Sequence, residues 1–194
     1  MGRPPLCLAA LFLVSCTLAK VDVTVVGERT ALENQVLGTY NSLDDEMLLA
    51  ASVRAVDSEG RLKREPLKSP EQRDTVQAMQ TLAFHEDDVA TFKRLGWVGE
   101  DNQGLLTAFA LERGGAPDDL REFAATYKDE EFRAVVAAVK QARDVVMRRV
   151  IELNETFTKG DLPRVRQVFA RLNVQNALPG ERVQGADGAW GVKR

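Results

Sequence analysis

The one histidine in this chain of 194 residues, His85, is followed directly by three acids, Glu86-Asp87-Asp88. A histidine with carboxylates nearby could act as a general base or bind a metal ion. Consecutive acids on a helix point in different directions, however, and a multi-histidine metal site needs more than one histidine. We therefore interpret His85 as part of a solvated helical turn or cap. We predict no catalytic residues, no metal ligands and no cofactor.

The two cysteines, Cys7 and Cys16, lie near the start of the chain. Every residue from Leu6 to Val14 is apolar, but this run is far shorter than the roughly 20 residues that a transmembrane helix needs. A short basic region, a short apolar run and small residues after it are typical of a secretory signal. Here the run ends in Leu13-Val14-Ser15-Cys16, which resembles the bacterial lipobox, whose cysteine receives a diacylglyceryl group.

We therefore predict that residues 1–15 are a lipoprotein signal peptide and that Cys16 is the lipid attachment site. The alternative is an ordinary secretory signal cut near Ala19, which would discard Cys16. Thr17 stands where an inner-membrane lipoprotein of enterobacteria tends to carry Asp, so we expect an outer-membrane lipoprotein that faces the periplasm. With Cys7 removed and Cys16 lipidated, the mature chain would hold no disulfide and no catalytic cysteine.

The two tryptophans, Trp97 and Trp190, both stand in glycine-bordered segments. Such a pair could line a sugar or lipid site, because tryptophan combines a large apolar area with an N–H donor. More often a tryptophan in this setting closes the end of a small core, which is the interpretation we favour. Glu181, Asp187 and Gly188 accompany Trp190 in the tail and are the other candidate binding or packing residues.

Helix signals dominate the middle of the chain. Thr30-Ala31-Leu32-Glu33 is a capping box, and Ser42, followed by Asp44 and Asp45, indicates a second helix start. Residues 57–68 are polar and are predicted to form a loop. Ser69-Pro70 begins a third helix, with proline at its first position, and this helix is expected to break near His85.

The strongest helical pattern runs over residues 129–157, where apolar residues recur at steps of three and four. This stripe could bind a partner or form a coiled coil, but it is more simply the core face of an intramolecular bundle. Gly160 is expected to end the helix, and Asp161-Leu162-Pro163 to begin the last one. Acids at 118–119 and 130–131 are interpreted as first-turn residues.

Strand signals lie at the two ends. Val21, Val23 and Val25 alternate with polar residues, which predicts a strand. Two short extended pieces flank residues 185–188 and predict a C-terminal hairpin. We expect the hairpin to pack Trp190 on the helices or to accept the N-terminal strand as a third member. Residues 96–104 are turn-rich, and residues 105–111 could form a strand or a helix.

These patterns predict a mainly α fold, a small helical bundle around one long helix, with a short N-terminal strand and a C-terminal hairpin-like tail. The segments are the signal peptide (1–15), the anchor and strand (16–27), the helical domain (28–173) and a Gly/Trp tail (174–194). The chain has a net charge of −3 and no basic tract, so we expect no nucleic-acid partner.

The tail, PGERVQGADGAWGVKR, resembles the C-terminal signature of the YdbL-like family of bacterial envelope proteins, which carry a domain of unknown function. The matching residues are Pro179, Gly180, Glu181, Val183, Asp187, Gly188, Trp190 and Lys193. The extra Gly191 departs from the usual run between tryptophan and lysine. The segments TALENQVLG at 30–38 and VGEDNQGLL at 98–106 are similar to a lipoprotein branch of that family.

The resemblance implies a secreted, mainly helical accessory protein without a known reaction. Some members are encoded with a small lipoprotein and an AsmA-like protein that bridges the envelope for phospholipid transport. We therefore expect a lipid-anchored, non-enzymatic envelope protein that assists assembly of such a system, with the membrane and an AsmA-like protein as partners. The alternatives are a lipid- or glycan-binding envelope module and a cell-wall hydrolase. The missing catalytic cysteine, the single histidine and the lack of a recognisable nucleophile argue against the hydrolase.

Overall fold

The structure, a computed structural model, describes residues 30–52, 55–56, 62–63 and 69–194. The predicted signal peptide, the lipid attachment site Cys16 and the predicted strand at residues 21–25 lie outside the described residues.

Helices make up most of the described chain, which confirms the predicted mainly α class. They are α1 (Ala31–Ser52), α2 (Pro70–Phe84), α3 (Glu86–Arg94), α4 (Arg121–Thr126), α5 (Asp129–Leu153) and α6 (Leu162–Asn176). Short 3-10 turns precede α4 and α6 at Asp118–Leu120 and Lys159–Asp161. None of the helices in the described ranges is both long enough and apolar enough to cross a membrane.

The predicted helix starts at Thr30 and Ser69 are confirmed. The Glu33 N–H donates to the Thr30 hydroxyl (3.2 Å), and the Thr30 N–H donates to the Glu33 carboxylate (2.7 Å), which completes the capping box. The Ser69 hydroxyl accepts from the Gln72 N–H at 3.1 Å. His85 lies in the turn between α2 and α3, as expected, with Nδ1 3.2 Å from Asp88 Oδ2.

Two helix boundaries differ from the sequence expectation. The helix predicted to begin at Ser42 is part of α1, and the Ser42 hydroxyl donates to the Gly38 carbonyl one turn earlier (3.0 Å) instead of capping a new helix. Helix α5 ends at Leu153 because the side-chain amide of Asn154 donates to the Val150 carbonyl (2.7 Å), the acceptor that the next helical N–H would use.

Short strands form two sheets. Strands β1 (Ala55–Val56) and β2 (Leu62–Lys63) pair antiparallel, so the predicted loop at 57–68 contains a strand. The second sheet has the order β4-β3-β5-β6, where β3 is Val98–Glu100, β4 is Leu106–Ala108, β5 is Arg182–Gln184 and β6 is Trp190–Val192.

The predicted C-terminal hairpin is confirmed as the antiparallel pair β5-β6. Its neighbour is β3, which runs parallel to β5 and antiparallel to β4. The expectation of turns throughout 96–104 is therefore wrong at β3. Residues 105–111, which could have formed a strand or a helix, contain the strand β4.

The two faces of this four-stranded sheet differ. Val98, Glu100 and Leu106 lie on the inner face, toward the helices, and are buried. Gly99 lies on the outer face beneath Trp190, and a Cβ at this position would stand 2.6 Å from the Trp190 ring. A side chain at position 99 would therefore push the hairpin away from β3.

The core consists of two clusters that share α5. The first lies between α1, α2, α6 and the second half of α5, and includes Val36, Met79, Val146, Val150, Val165 and Val168. The second lies between α3, α4, β3, β4 and the first half of α5, and includes Phe92, Trp97, Val98, Leu106, Phe132 and Val139. The predicted arrangement around one long helix is thus confirmed.

Candidate functional site

A cleft of about 710 Å³ lies between α1, α2, α3, α5 and α6. Each helix contributes residues on one face, as the helical repeat dictates. The apolar lining includes Val36 and Leu37 from α1, Met79 and Leu82 from α2, Val146 from α5 and Leu172 from α6. The volume is within the roughly 300–1,000 Å³ of typical small-molecule sites, which are also mostly apolar.

The cleft opens to solvent at its mouth. Ala83, Glu86 and Ala90 line it and are exposed, and Leu178 lines it with 59% of its surface exposed. Tyr40 lies in the α1 wall with its ring edge-to-face against Phe169 (5.9 Å between centroids). Burial, with a further contribution from neighbouring Asp44, raises the pKa of the Tyr40 hydroxyl, so the phenol is a neutral donor in this wall.

A buried carboxylate lies behind one end of the cleft. Glu100, on the inner face of β3, is 1% exposed. Arg143 of α5 donates to both of its oxygens, at 2.6 and 3.0 Å, in the bidentate geometry of strong arginine–carboxylate pairs. Lys93 of α3 places Nζ 2.5 Å from Oε1, and Asn173 of α6 donates to Oε2 at 3.0 Å. One carboxylate thereby joins four elements.

These partners decide the charge of Glu100. Burial alone would raise the pKa of the Glu100 carboxyl, but the Arg143 guanidinium and the Lys93 ammonium outweigh burial and hold that pKa below its ordinary value. Glu100 is therefore an anion at neutral pH. Arg143 and Asn173 also donate to the Gly104 carbonyl, at 3.2 and 3.3 Å, which fixes both side chains against the β3-β4 turn.

Lys93, Arg143 and Asn173 also line the cleft. The side chains of Lys93 and Arg143 are each 17% exposed. Glu181, which precedes β5, lines the cleft as well, and its Oε2 accepts from the Leu178 N–H at 3.1 Å. The cleft therefore combines apolar walls with a charged end.

The structure separates the two tryptophans. Trp97 is fully buried in the second core cluster, where its ring packs 6.0 Å from Phe92 and 5.9 Å from Phe132. This position corresponds to the core-closing role. A shared tryptophan site for a sugar or lipid is not formed, because Trp190 lies on the outer face of the sheet.

Trp190 packs on the sheet and not on the helices, which corrects that part of the sequence expectation. Its ring lies edge-on to Phe109 at 4.9 Å and covers Gly99, and the residue is 37% exposed. Asp187 and Gly188 form the hairpin turn, where Asp187 Oδ1 accepts from the Ala189 N–H (3.0 Å) and Gly188 has a φ of +82°. Of the tail candidates, Glu181 lines the cleft.

Sequence reasoning missed Lys93, Glu100, Arg143 and Asn173. Arg143 carried a usable signal, since it lies four residues after Val139 and three before Val146, along the apolar stripe of α5. Glu100 carried none, because a single acid in a glycine-rich segment is typical of an exposed turn. In the described ranges, no group of three or more histidine, cysteine, aspartate or glutamate side chains is arranged to hold a metal ion.

Comparisons with protein-family models, curated proteins and solved structures returned no match to this chain. The resemblance to the YdbL-like family therefore stays a prediction from the tail and the two internal segments, and the geometry of the cleft carries the functional argument.

Proposed function

We propose that this chain is a lipid-anchored, non-enzymatic accessory protein of the bacterial cell envelope, and that its helical domain binds an amphipathic, lipid-like molecule in the cleft. The observation that carries the proposal is the combination of apolar walls from five helices with a charged end at Lys93, Arg143 and Glu181. A molecule with an acyl chain and a polar head would satisfy both parts of this lining.

The apolar walls supply the driving force. Each methylene that leaves water for such a surface contributes about 0.8 kcal/mol, so a chain of several carbons gains more than the polar end alone would provide. The charged end is preorganised by Glu100, Asn173 and the Gly104 carbonyl, so a polar head would not have to order its partners on binding.

The cellular setting of the proposal comes from the sequence. The Leu13-Val14-Ser15-Cys16 motif supports a lipid anchor, and Thr17 after it supports the outer membrane. The family resemblance supports a role in assembly of an AsmA-like, envelope-spanning phospholipid transport system. A protein that holds one lipid-like molecule beside such a system would act as an accessory carrier. The alternative of a glycan-binding module has less support, because the cleft walls are mainly aliphatic.

The cleft can be tested with a neutral apolar dye, N-phenyl-1-naphthylamine, whose fluorescence rises in an apolar site. Ala90 of α3 lines the cleft and is exposed, so Ala90→Trp should fill the mouth without disturbing the core. We expect the wild-type protein to bind the dye at micromolar concentration, and Ala90→Trp to weaken binding at least tenfold.

Ala137→Trp is the matched control, because Ala137 is exposed on α5 and does not line the cleft. It should bind the dye as the wild type does, and thermal unfolding should show that both variants are folded. Equal dye binding by Ala90→Trp and Ala137→Trp, or none by the wild type, would contradict the proposal.

A further inference from the structure

Glu181 is a buried acid that has no cationic partner among the described residues. It is 6% exposed, and in the part of the chain that the structure describes its carboxylate has one hydrogen bond, from the Leu178 N–H, and no ion pair within 4 Å. Charged side chains this deeply buried are usually paired, because an isolated buried charge is costly. Since Glu181 lines the cleft, the missing partner can be supplied from there.

At Lys93 and Arg143, by contrast, positive charge is in excess. These two cations share the single carboxylate of Glu100, which leaves one positive charge over. The hydrogen bonds of Arg143 to described residues use three of its five N–H donors, which leaves two N–H donors. With Glu181 counted, the charged end is neutral, but the Glu181 carboxylate forms no ion pair with either cation, so a ligand that carries both an anion and a cation could pair with both sides.

The other acids of the lining are Asp44 and Glu86. Glu86 is seven residues before Lys93 on α3, which places it about 10 Å away along the helix. Asp44 of α1 lies near the Tyr40 hydroxyl, on which both Arg143 and Glu86 also act. Glu86 at the exposed mouth disfavours an anion there, so it would direct the anionic part of a ligand toward Lys93 and Arg143.

We propose that the ligand of the cleft is a single-chain lipid with a zwitterionic head, whose phosphate or carboxylate binds Lys93 and Arg143 and whose primary amine donates to Glu181. This inference rests on the proposed lipid-binding function and adds the chemistry of the head. The acyl chain extends along the apolar wall formed by Met79, Leu82 and Val146.

Ligands of one chain length with different heads test this directly. Dodecylphosphoethanolamine, dodecylphosphocholine, dodecyl phosphate and dodecylamine, each below its micellar concentration, compete with N-phenyl-1-naphthylamine for the wild-type protein. We expect dodecylphosphoethanolamine to bind about 10- to 100-fold more tightly than the phosphate or the amine alone, as a charge-assisted hydrogen bond would provide. Dodecylphosphocholine, which has the same charges but no N–H donor, should bind more weakly than dodecylphosphoethanolamine.

An amino fatty acid separates the two possible anions. If 2-aminotetradecanoic acid binds as tightly as dodecylphosphoethanolamine, a carboxylate serves as well as a phosphate; if it binds more weakly, the site takes phosphate. Both results support a head that carries an amine and an anion, provided that both compounds bind more tightly than dodecylamine.

Two variants test whether Glu181 binds the amine of the head and Lys93 binds its phosphate. Glu181→Gln keeps an oxygen for the Leu178 N–H but removes the charge, and should lower the affinity for dodecylphosphoethanolamine to that for dodecyl phosphate. Lys93→Met should weaken the binding of all three phosphate ligands at least tenfold and leave the binding of dodecylamine unchanged. Lys140→Met, on the exposed face of α5, is the control and should change none of them.

The outcomes distinguish the two proposals. Equal affinity for all four heads, or a preference for dodecyl phosphate alone, overturns the zwitterionic head and leaves lipid binding in the cleft intact. Failure of every alkyl ligand to displace the dye overturns the head chemistry, and failure of the dye itself to bind overturns the proposed function. A loss of affinity in Glu181→Gln that is the same for all ligands would also contradict the assignment.

Discussion

The Glu100 carboxylate links β3 to α3, α5 and α6 through Lys93, Arg143 and Asn173. Removing one partner of a buried ion pair is costly because the remaining charges stay buried without compensation. A carboxylate with three side-chain partners therefore has two consequences in this fold. It holds the sheet against the bundle, and it orients the two cations that line the cleft.

Glu100→Gln is predicted to destabilise the protein by about 3–5 kcal/mol, a large share of the roughly 5–15 kcal/mol by which domains are stable. For a chain of this size the melting temperature should fall by about 6–20 °C, measured by circular dichroism at pH 7. Glu131→Gln removes an exposed ion pair with Lys128 and is the control, with little expected change.

The loss of stability in Glu100→Gln is also predicted to depend on pH. The folded-state pKa of Glu100 is lowered from its ordinary value of 4.5, so its stabilisation is complete above that value and is lost as the pH falls through the lowered pKa. The stability difference between wild type and Glu100→Gln should therefore shrink below about pH 4.5. A difference that stays constant down to pH 2 would show that Glu100 does not carry this linkage.

The limits of prediction from sequence are clearest for the secondary structure elements. Helix starts at Thr30 and Ser69 follow from local hydrogen bonds between a cap and its own first turn, so the local sequence contains the information. The hairpin β5-β6 is also local. Strand β3 is harder to predict, because its three residues include a glycine and because, besides its local partner β4, it pairs with β5 more than 80 positions away.

Most of the candidate site could not be predicted from the sequence either, because its residues come together only through non-local contacts. Glu181 could be singled out because it belongs to the tail motif, but the cleft also needs one face from each of five helices, which no local pattern specifies. The helix predicted at Ser42 shows how a local signal fails. A serine can cap a new helix or bond back to the carbonyl one turn earlier, and packing of α1 selects the second option.

Trp190→Ala is predicted to destabilise the sheet. The Trp190 ring covers Gly99 and meets Phe109, but 37% of the residue is exposed, so the loss should be about 2 kcal/mol, or roughly 4–8 °C in melting temperature. Trp97→Ala, at a fully buried position, should cost about 3–5 kcal/mol and is the comparison. If the melting temperature of Trp190→Ala equals that of the wild type, the hairpin does not depend on this contact, and Trp190 would be free to serve as a binding residue.

On the scale of the whole molecule, α5 connects the two core clusters, and the cleft lies along the same helix, between Val139 and Val146. The charged end joins the two clusters. Arg143 projects from the shared helix α5, while Lys93 and Glu100 come from α3 and β3, which belong to the second cluster. A ligand in the cleft would therefore contact both clusters and stabilise the folded state by binding it selectively.

The remaining prediction concerns how the molecule is held in the cell. Cys16 ends the apolar run at Leu13-Val14-Ser15-Cys16, outside the described residues, and Cys7 lies within that run. Because each buried methylene adds about 0.8 kcal/mol and two acyl chains already give a stable anchor, Cys16→Ser should leave the protein unprocessed or release it from the membrane fraction. Cys7→Ser is the matched control and should be processed and retained as the wild type is. The measurements are fractionation, intact mass and incorporation of labelled palmitate. Normal processing and membrane retention of Cys16→Ser would overturn the anchor and, with it, the proposed place of this protein at the outer membrane.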